Sequence, residues 1–400
     1  MRAPDSLKYM PQLDALRALA VLAVMVHHFL PVDRYLPPDY ITLGLLAVRL
    51  FFVLSGFLIT GILLSYRNQE RGTALRRFYL RRILRIFPIY YLTLFIALAL
   101  QVRPIQQGAF WHLTYLSNYV AVAHPEWMGP ASHFWTLAVE EQFYFVWPFI
   151  LLFVPQRHLA KTIVGTIALA VLFRAFVLFV LSISIDAAGL FTFATLDSLG
   201  GGALLALFHY DERLRPRLPR LMKLFLVSGL VIVTLTTGCY VFNVGFRILH
   251  TLLCLGVSFL FVVLIEKTAR GFTGKAKSVM ENRAVLYVGK ISYGLYVYHN
   301  FMLAIVVYYL LKWTAIPDYR LVAVLSTVAT FAAAIVSWHV IERPLMQLKN
   351  RFSFSARKPR LAPESDAARN RSDAAKNRSA EGAEYESQGQ ARSASPLVNQ

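Results

Sequence analysis

QLDALRALAVLAVMVHHFL, residues Gln12 to Leu30, reads as a membrane-spanning helix, yet its apolar run carries Asp14, Arg17, His27 and His28. Ionisable groups in hydrocarbon are costly and mark functional sites by default. Helical geometry sorts these four. Arg17 and His28 are 11 residues apart, about 1100° of turn, so they project roughly 20° apart and about 16 Å from each other along the axis. Asp14 lies roughly 40° from His28 in the other direction, whereas His27 stands roughly 80° off Arg17. One face thus presents an acid, an arginine and a histidine, with His27 a bystander at the interface. An arginine snorkelling at one membrane edge and a histidine at the other account for the same residues equally well.

The rest of the chain agrees with a membrane reading. Of its 400 residues, 57% are hydrophobic and 16% charged, which excludes a soluble globular protein. Several apolar runs exceed the roughly 18 residues needed to cross hydrocarbon. The alternation expected of a membrane barrel is absent. The class is an all-α polytopic membrane protein. Ten spans can be drawn, over 13–30, 41–65, 84–102, 132–154, 160–183, 189–208, 222–241, 246–265, 287–311 and 319–342. The first apolar run leads into PVDRYLPP without a small-residue cleavage site, so it is expected to be retained.

Lysine and arginine set the orientation. With the N-terminus in the cytoplasm, the inner segments hold 21 of them ahead of the tail and the outer segments hold 5. Both termini are therefore expected to be cytoplasmic. The formal charge of +19 then serves topology and contact with anionic membrane lipids, and needs no nucleic-acid partner. Cys239 and Cys254 both lie in apolar segments and suggest no disulfide framework. Residues 1–350 form the membrane domain. Residues 351–400, rich in Ala, Ser, Arg, Glu and Asn, are expected to be a disordered cytoplasmic tail. The one long outer loop, Arg103–Ala131, carries Trp111, His112, His124, Pro125 and Trp127 and is placed to cap an outward-facing cavity.

Six further stretches stand out. LRRFYLRRILRIFPIYYL sets Arg82 and Arg85 on one helical face. Positive-inside anchoring explains them; so does a pocket for a phosphorylated ligand, because guanidinium forks match phosphate oxygens. Pro88 removes a backbone donor just beyond them. LFFVLSGFLIT offers Ser55 and Gly56 as a small-residue spot for a close helix or an acyl chain. SHFWTLAVEEQFYFVWP holds Glu140 and Glu141, which point about 100° apart, so at most one is expected to share a cavity with the first span. Tyr144 lies beside Glu140 at i,i+4. An ion pair with an intramembrane arginine is the bland reading of these acids. LDSLGGGALLAL has Asp197 before three glycines, and GKISYGLYVYHNFML has Tyr296 and His299 three apart. A single buried histidine is more often a packed, hydrogen-bonded group than a catalyst. The ending VIERPL places Glu342, Arg343 and Pro344 as helix punctuation at an interface. A phosphate loop, a nucleophile elbow and metal-ligand spacing are all missing.

Taken in order, LDALRALAVLAVMVHHF, FFVLSGFLIT, RRILRIFPIYYL, WTLAVEEQFYFVWP, LDSLGGGALLAL, ISYGLYVYHN and VIERP resemble the acyltransferase 3 family of bacterial inner-membrane O-acyltransferases. The resemblance covers about residues 12–345. It implies that Arg17 and His28 are needed for activity and that Arg82 and Arg85 serve acyl-CoA, the donor substrate. It aligns Glu140, with Trp135 and Thr136, to the family's glutamate motif. Thr195 stands where family members often have an arginine, which weakens a role for Asp197. Larger relatives add an extracytoplasmic hydrolase-like domain; with a short tail instead, this chain is expected to act alone.

The expected reaction is transfer of an acyl group, most often acetyl in that family, from acyl-CoA to a carbohydrate hydroxyl. His28 is assigned as general base, Glu140 as the group that orients it, and Arg17 as a holder of developing negative charge. Asp14, Trp135, Tyr144, Tyr296 and His299 support the site, with no bound cofactor or metal. A proton-coupled transporter or flippase, its acids and histidines forming a relay, is the rival reading; the lack of an inverted repeat disfavours it.

Overall fold

The computed structural model describes residues 9–30, 42–242, 246–314 and 318–348, which lie within one compact unit. The expected tail, residues 351–400, lies outside the described residues. Among the described residues there are helices and no strand. Ten helices follow the expected spans. They are α1 Pro11–Phe29, α2 Leu43–Tyr66, α3 Arg71–Ala99, α4 Phe134–Phe153, α5 Gln156–Phe179, α6 Leu196–Tyr210, α7 Leu218–Val241, α8 Phe246–Arg270, α9 Arg283–Leu311 and α10 Tyr319–Ser337.

Nine segments among the described residues are long and apolar enough to cross a membrane. The exception is α6. Its 15 residues reach about 22 Å, short of the roughly 30 Å hydrocarbon core. Every residue from Asp197 to Leu207 is buried, so neighbouring helices rather than lipid surround it. The three glycines explain the fit. A Cβ on Gly202 would lie 2.0 Å from the Val53 carbonyl oxygen, and one on Gly56 2.0 Å from that of Leu199. Only glycine lets α2 and α6 run side by side in the same direction at this separation.

Three boundaries differ from expectation; the first is the start of α6, at Leu196 rather than 189. α3 begins 13 residues before the expected span and takes in the whole basic stretch. It has no breaker before Pro88, and it continues through that proline. The VIERP stretch is not a terminus. A π-helical turn over Trp338–Glu342 joins α10 to Arg343–Leu348, and Glu342 is buried rather than interfacial.

A buried ion cluster pins the centre. Asp197 of α6 accepts from Arg49 of α2 at 3.2 Å and from Arg174 of α5 at 2.8 Å. Arg174 also donates to the backbone carbonyls of Thr251 in α8, at 3.0 Å from Nη2, and of Ala194. Four helices therefore meet around one carboxylate. The partner that the sequence seemed to lack at Thr195 comes instead from α5.

Candidate active site

At the end of the bundle where α2 finishes and α3 begins, guanidinium groups surround a cavity of about 640 Å³ bounded by Arg81, Arg82 and Arg85. Arg82 and Arg85 also line the next cavity inward, of about 850 Å³, which holds Arg17, Glu140, Glu141 and Tyr144. This second space is the arginine chamber. Asp14 orients Arg17 through a 2.6 Å ion pair, and the Tyr9 hydroxyl donates to the other Asp14 oxygen at 2.6 Å. Ser55 Oγ donates to Glu140 Oε1 at 2.5 Å and accepts from the Tyr144 hydroxyl at 3.0 Å. The Arg82 guanidinium lies over the Tyr144 ring, 5.1 Å from its centroid. Cations thus gather at the mouth and carboxylates deeper in.

Toward the other end lies a larger cavity of about 1730 Å³, lined by His27, His28, Arg49, His133 and Trp135. We call it the histidine chamber. The segment from Arg103 to Ala131 folds into the short helices Arg103–Gln107, Ala109–Leu113 and Ser117–Ala123 and two further turns. Ala121, Pro125 and Met128 from this segment complete the chamber wall, so the long loop does cap a cavity. Burial pushes the imidazole of His112, inside this cap, down to about 4.

Three imidazoles stand in a row beside the chamber. His28 and His299 have ring centroids 5.1 Å apart, and His299 and His133 are 4.5 Å apart. His299 Nδ1 is 2.6 Å from the Tyr296 carbonyl oxygen, and His133 Nε2 is 3.1 Å from that of Val297. His299 is fully buried.

The two chambers meet. Val48, Thr136 and Tyr296 line both. The Tyr296 hydroxyl is 2.5 Å from Thr136 Oγ1 and donates to the His133 carbonyl at 3.1 Å. This hydrogen-bonded pair, together with Val48, is shared by both walls, and we call it the septum.

Placed against expectation, Arg17, Arg82, Arg85, Glu140 and Tyr144 come together in one chamber. His28 and Trp135 share the other, with His299 against His28 and Tyr296 at the junction. Glu140 is not brought to His28: its hydrogen bonds run to Ser55, in the chamber of Arg17. Both glutamates, not one, line that chamber, because the cavity wraps around α4 between α2 and α3. His27 lines the histidine chamber beside His28 and is no bystander at the interface. Three residues escaped the sequence reading. His133 was visible only as the start of a span, Ser55 only as a small residue, and Arg174 not at all. An arginine within the apolar run TIVGTIALAVLFRAF was the available signal for the last.

Chemically, the arginine chamber suits a polyanion entering from the basic end, and the histidine chamber suits a large hydroxylated molecule beside an imidazole base. Comparison with known proteins points the same way. A family model described as an acyltransferase domain matches residues 10–339. The peptidoglycan O-acetyltransferase OatA of Listeria monocytogenes is 29% identical over 365 residues, which cover 85% of this chain and 56% of the relative. The putative O-acetyltransferase SAS0844 of Staphylococcus aureus is 28% identical over 357 residues, covering 84% of this chain and 57% of the relative. The O-acetyltransferase OatA of Staphylococcus aureus is 26% identical over 364 residues, with the same two coverages. The chain therefore spans little more than half the length of these relatives. No solved structure matches.

Proposed function

The chain belongs to the acyltransferase 3 family, and from that premise we propose that it moves an acyl group, acetyl in the first instance, from acyl-CoA to a hydroxyl of a cell-surface carbohydrate. The relative from Listeria is named for peptidoglycan, which makes a cell-wall glycan the first acceptor to try. The reading rests chiefly on one observation: two chambers of opposite chemistry meet at the Tyr296–Thr136 septum.

In this reading the basic end faces the cytoplasm of a bacterial inner membrane, as the lysine and arginine bias favours. The nucleotide phosphates of CoA sit among Arg81, Arg82 and Arg85, whose guanidinium forks hold phosphate oxygens. The pantetheine arm has the backbone length of about four extended residues, roughly 14 Å. That is close to the about 16 Å of helix axis between Arg17 and His28. The thioester therefore reaches the septum with the nucleotide still held below.

The acceptor enters the histidine chamber. Its hydroxyl oxygen attacks the thioester carbonyl carbon while His28 takes the hydroxyl proton. The C–S bond breaks, and the CoA thiolate leaves with the proton that His28 returns. Glu140, held by Ser55 and Tyr144, balances the cations of the donor chamber rather than orienting His28. Arg17, fixed by Asp14, steadies the polar groups of the arm.

The test uses purified protein in lipid with acetyl-CoA and a glycan fragment. Wild type is expected to release CoA and form the ester. His28→Ala should abolish the ester, and paired Arg82→Glu and Arg85→Glu should weaken acetyl-CoA binding at least about tenfold. Full activity in His28→Ala would refute the base assignment. Unchanged acetyl-CoA binding in the charge-reversed protein would refute the phosphate site. Transport of the glycan without release of CoA would overturn the enzyme reading altogether.

A further inference from the structure

We propose that His299 is a positioning residue for His28: its Nε2 lone pair accepts the N–H of the imidazolium that forms when His28 removes the acceptor's proton. The inference rests on the base assignment above and extends it to a residue that never touches substrate.

The tautomer of His299 is fixed by its backbone. A carbonyl oxygen only accepts, so the 2.6 Å contact to the Tyr296 carbonyl places the ring proton on Nδ1. Nε2 is then a bare acceptor, and among the described residues it has no hydrogen-bond partner. A buried acceptor left unmade is costly and asks for an explanation. His133 repeats the arrangement. Its Nε2 donates to the Val297 carbonyl, and its Nδ1 is likewise without a partner among the described residues. Two buried lone pairs thus lie in a row of three rings with no donor assigned to them. The row has room for one more proton.

His28 is the group placed to bring it. Two imidazoles joined by an N–H···N bond of about 2.9 Å have centroids roughly 5 Å apart, and the His28–His299 separation is 5.1 Å. Among the described residues, the charged and titratable groups facing the row are few. α1 adds His27, 5.1 Å from His28. α2 brings Arg49, whose charge is met by Asp197. α9 contributes Tyr296, and Asp186 lies across the chamber. His112 is separated from His133 by the ring of Phe134. From Val322 to Ser337, α10 has no ionisable side chain. Among the described residues, His299 is therefore the fully buried ring with a bare acceptor in contact with His28.

His299→Asn is the informative variant, because its amide N–H keeps the donor to the Tyr296 carbonyl and removes only the acceptor. Without that acceptor the His28 imidazolium loses a partner and its pKa falls. The neutral base then survives to lower pH. The acid limb of kcat/KM is expected to move down by about one pH unit, with kcat about tenfold lower or more and KM for acetyl-CoA unchanged. His299→Gln, whose amide oxygen comes near the Nε2 position, should recover part of the loss. The same shift should show without turnover, in the His28 titration followed by NMR of histidine-labelled protein in lipid. An unmoved His28 titration in His299→Asn would overturn the inference, whatever the activity. An inactive His28→Ala beside an unmoved titration would sink this inference and leave the base assignment standing, whereas an active His28→Ala would remove that assignment itself.

Discussion

Asp197→Asn is the substitution to which the fold should be most sensitive. The carboxylate is fully buried and bonded to two guanidinium groups, at 2.8 Å from Arg174 and 3.2 Å from Arg49. With charge centres about 4 Å apart and an effective dielectric constant near 20, each attraction is roughly 4 kcal/mol. Asparagine keeps the shape and removes both attractions, leaving two buried cations facing each other. Water and side-chain relaxation recover part of the difference, so the expected loss is about 3–5 kcal/mol. Thermal unfolding of the purified protein in detergent, followed by loss of the monodisperse species, should show a midpoint lower by about 5 °C or more. Adding Arg174→Met removes one of the unbalanced cations. Although it also strips hydrogen bonds from the Thr251 and Ala194 carbonyls, the double variant should melt above Asp197→Asn. A single variant that melts like wild type, or a double variant less stable than the single, would refute the charge-cluster account.

Two more predictions concern packing and pH. In Gly202→Ala the added Cβ meets the Val53 carbonyl at 2.0 Å, backbone against backbone with no side chain able to yield. A cost at the upper end of about 1–3 kcal/mol is expected from the melting midpoint, and an unchanged midpoint would show that α2 and α6 are not held this close. His112 is buried and its pKa is depressed to about 4. Its neutral form therefore stabilises the cap above the unfolded value of about 6.5, and that contribution is lost as pH falls toward 4, by about 3 kcal/mol in all. Corrected for the intrinsic exchange rate at each pH, hydrogen-exchange protection across residues 103–131 should fall between pH 7 and pH 4.5 in wild type and much less in His112→Phe; an equal fall in both would assign the change to another group.

Much of this was legible in the sequence because a membrane imposes simple rules. The length of each apolar run located the helices, and the projection of Arg17 and His28 onto one face of α1 placed one in each chamber, about a cavity's length apart. Relations between helices were not legible. Nothing in the periodicity of α4 says that a cavity wraps its circumference and takes in both Glu140 and Glu141. Ser55 looked like a packing residue because its role depends on which helix approaches, and Glu140 comes from 85 residues away in the chain. The short span of α6 was overestimated for a related reason: an apolar segment enclosed by other helices has the same composition as one facing lipid. His133 was missed because a residue at a helix start carries no facial periodicity.

The septum of Tyr296 and Thr136 has an electrical consequence. A membrane voltage falls across whatever separates the two conducting phases, and cavities that admit water from either side would carry each phase deep into the protein. Most of the drop would then fall across a layer one hydrogen bond thick. A full charge moved through that layer would feel about 2.3 kcal/mol per 100 mV. The proposed chemistry moves no net charge: the phosphates stay on one side, and as the acyl group passes outward to the acceptor oxygen the acceptor's proton passes inward on the CoA thiol. Such an arrangement would let the bilayer be crossed by a chemical group while its potential neither drives nor resists the crossing.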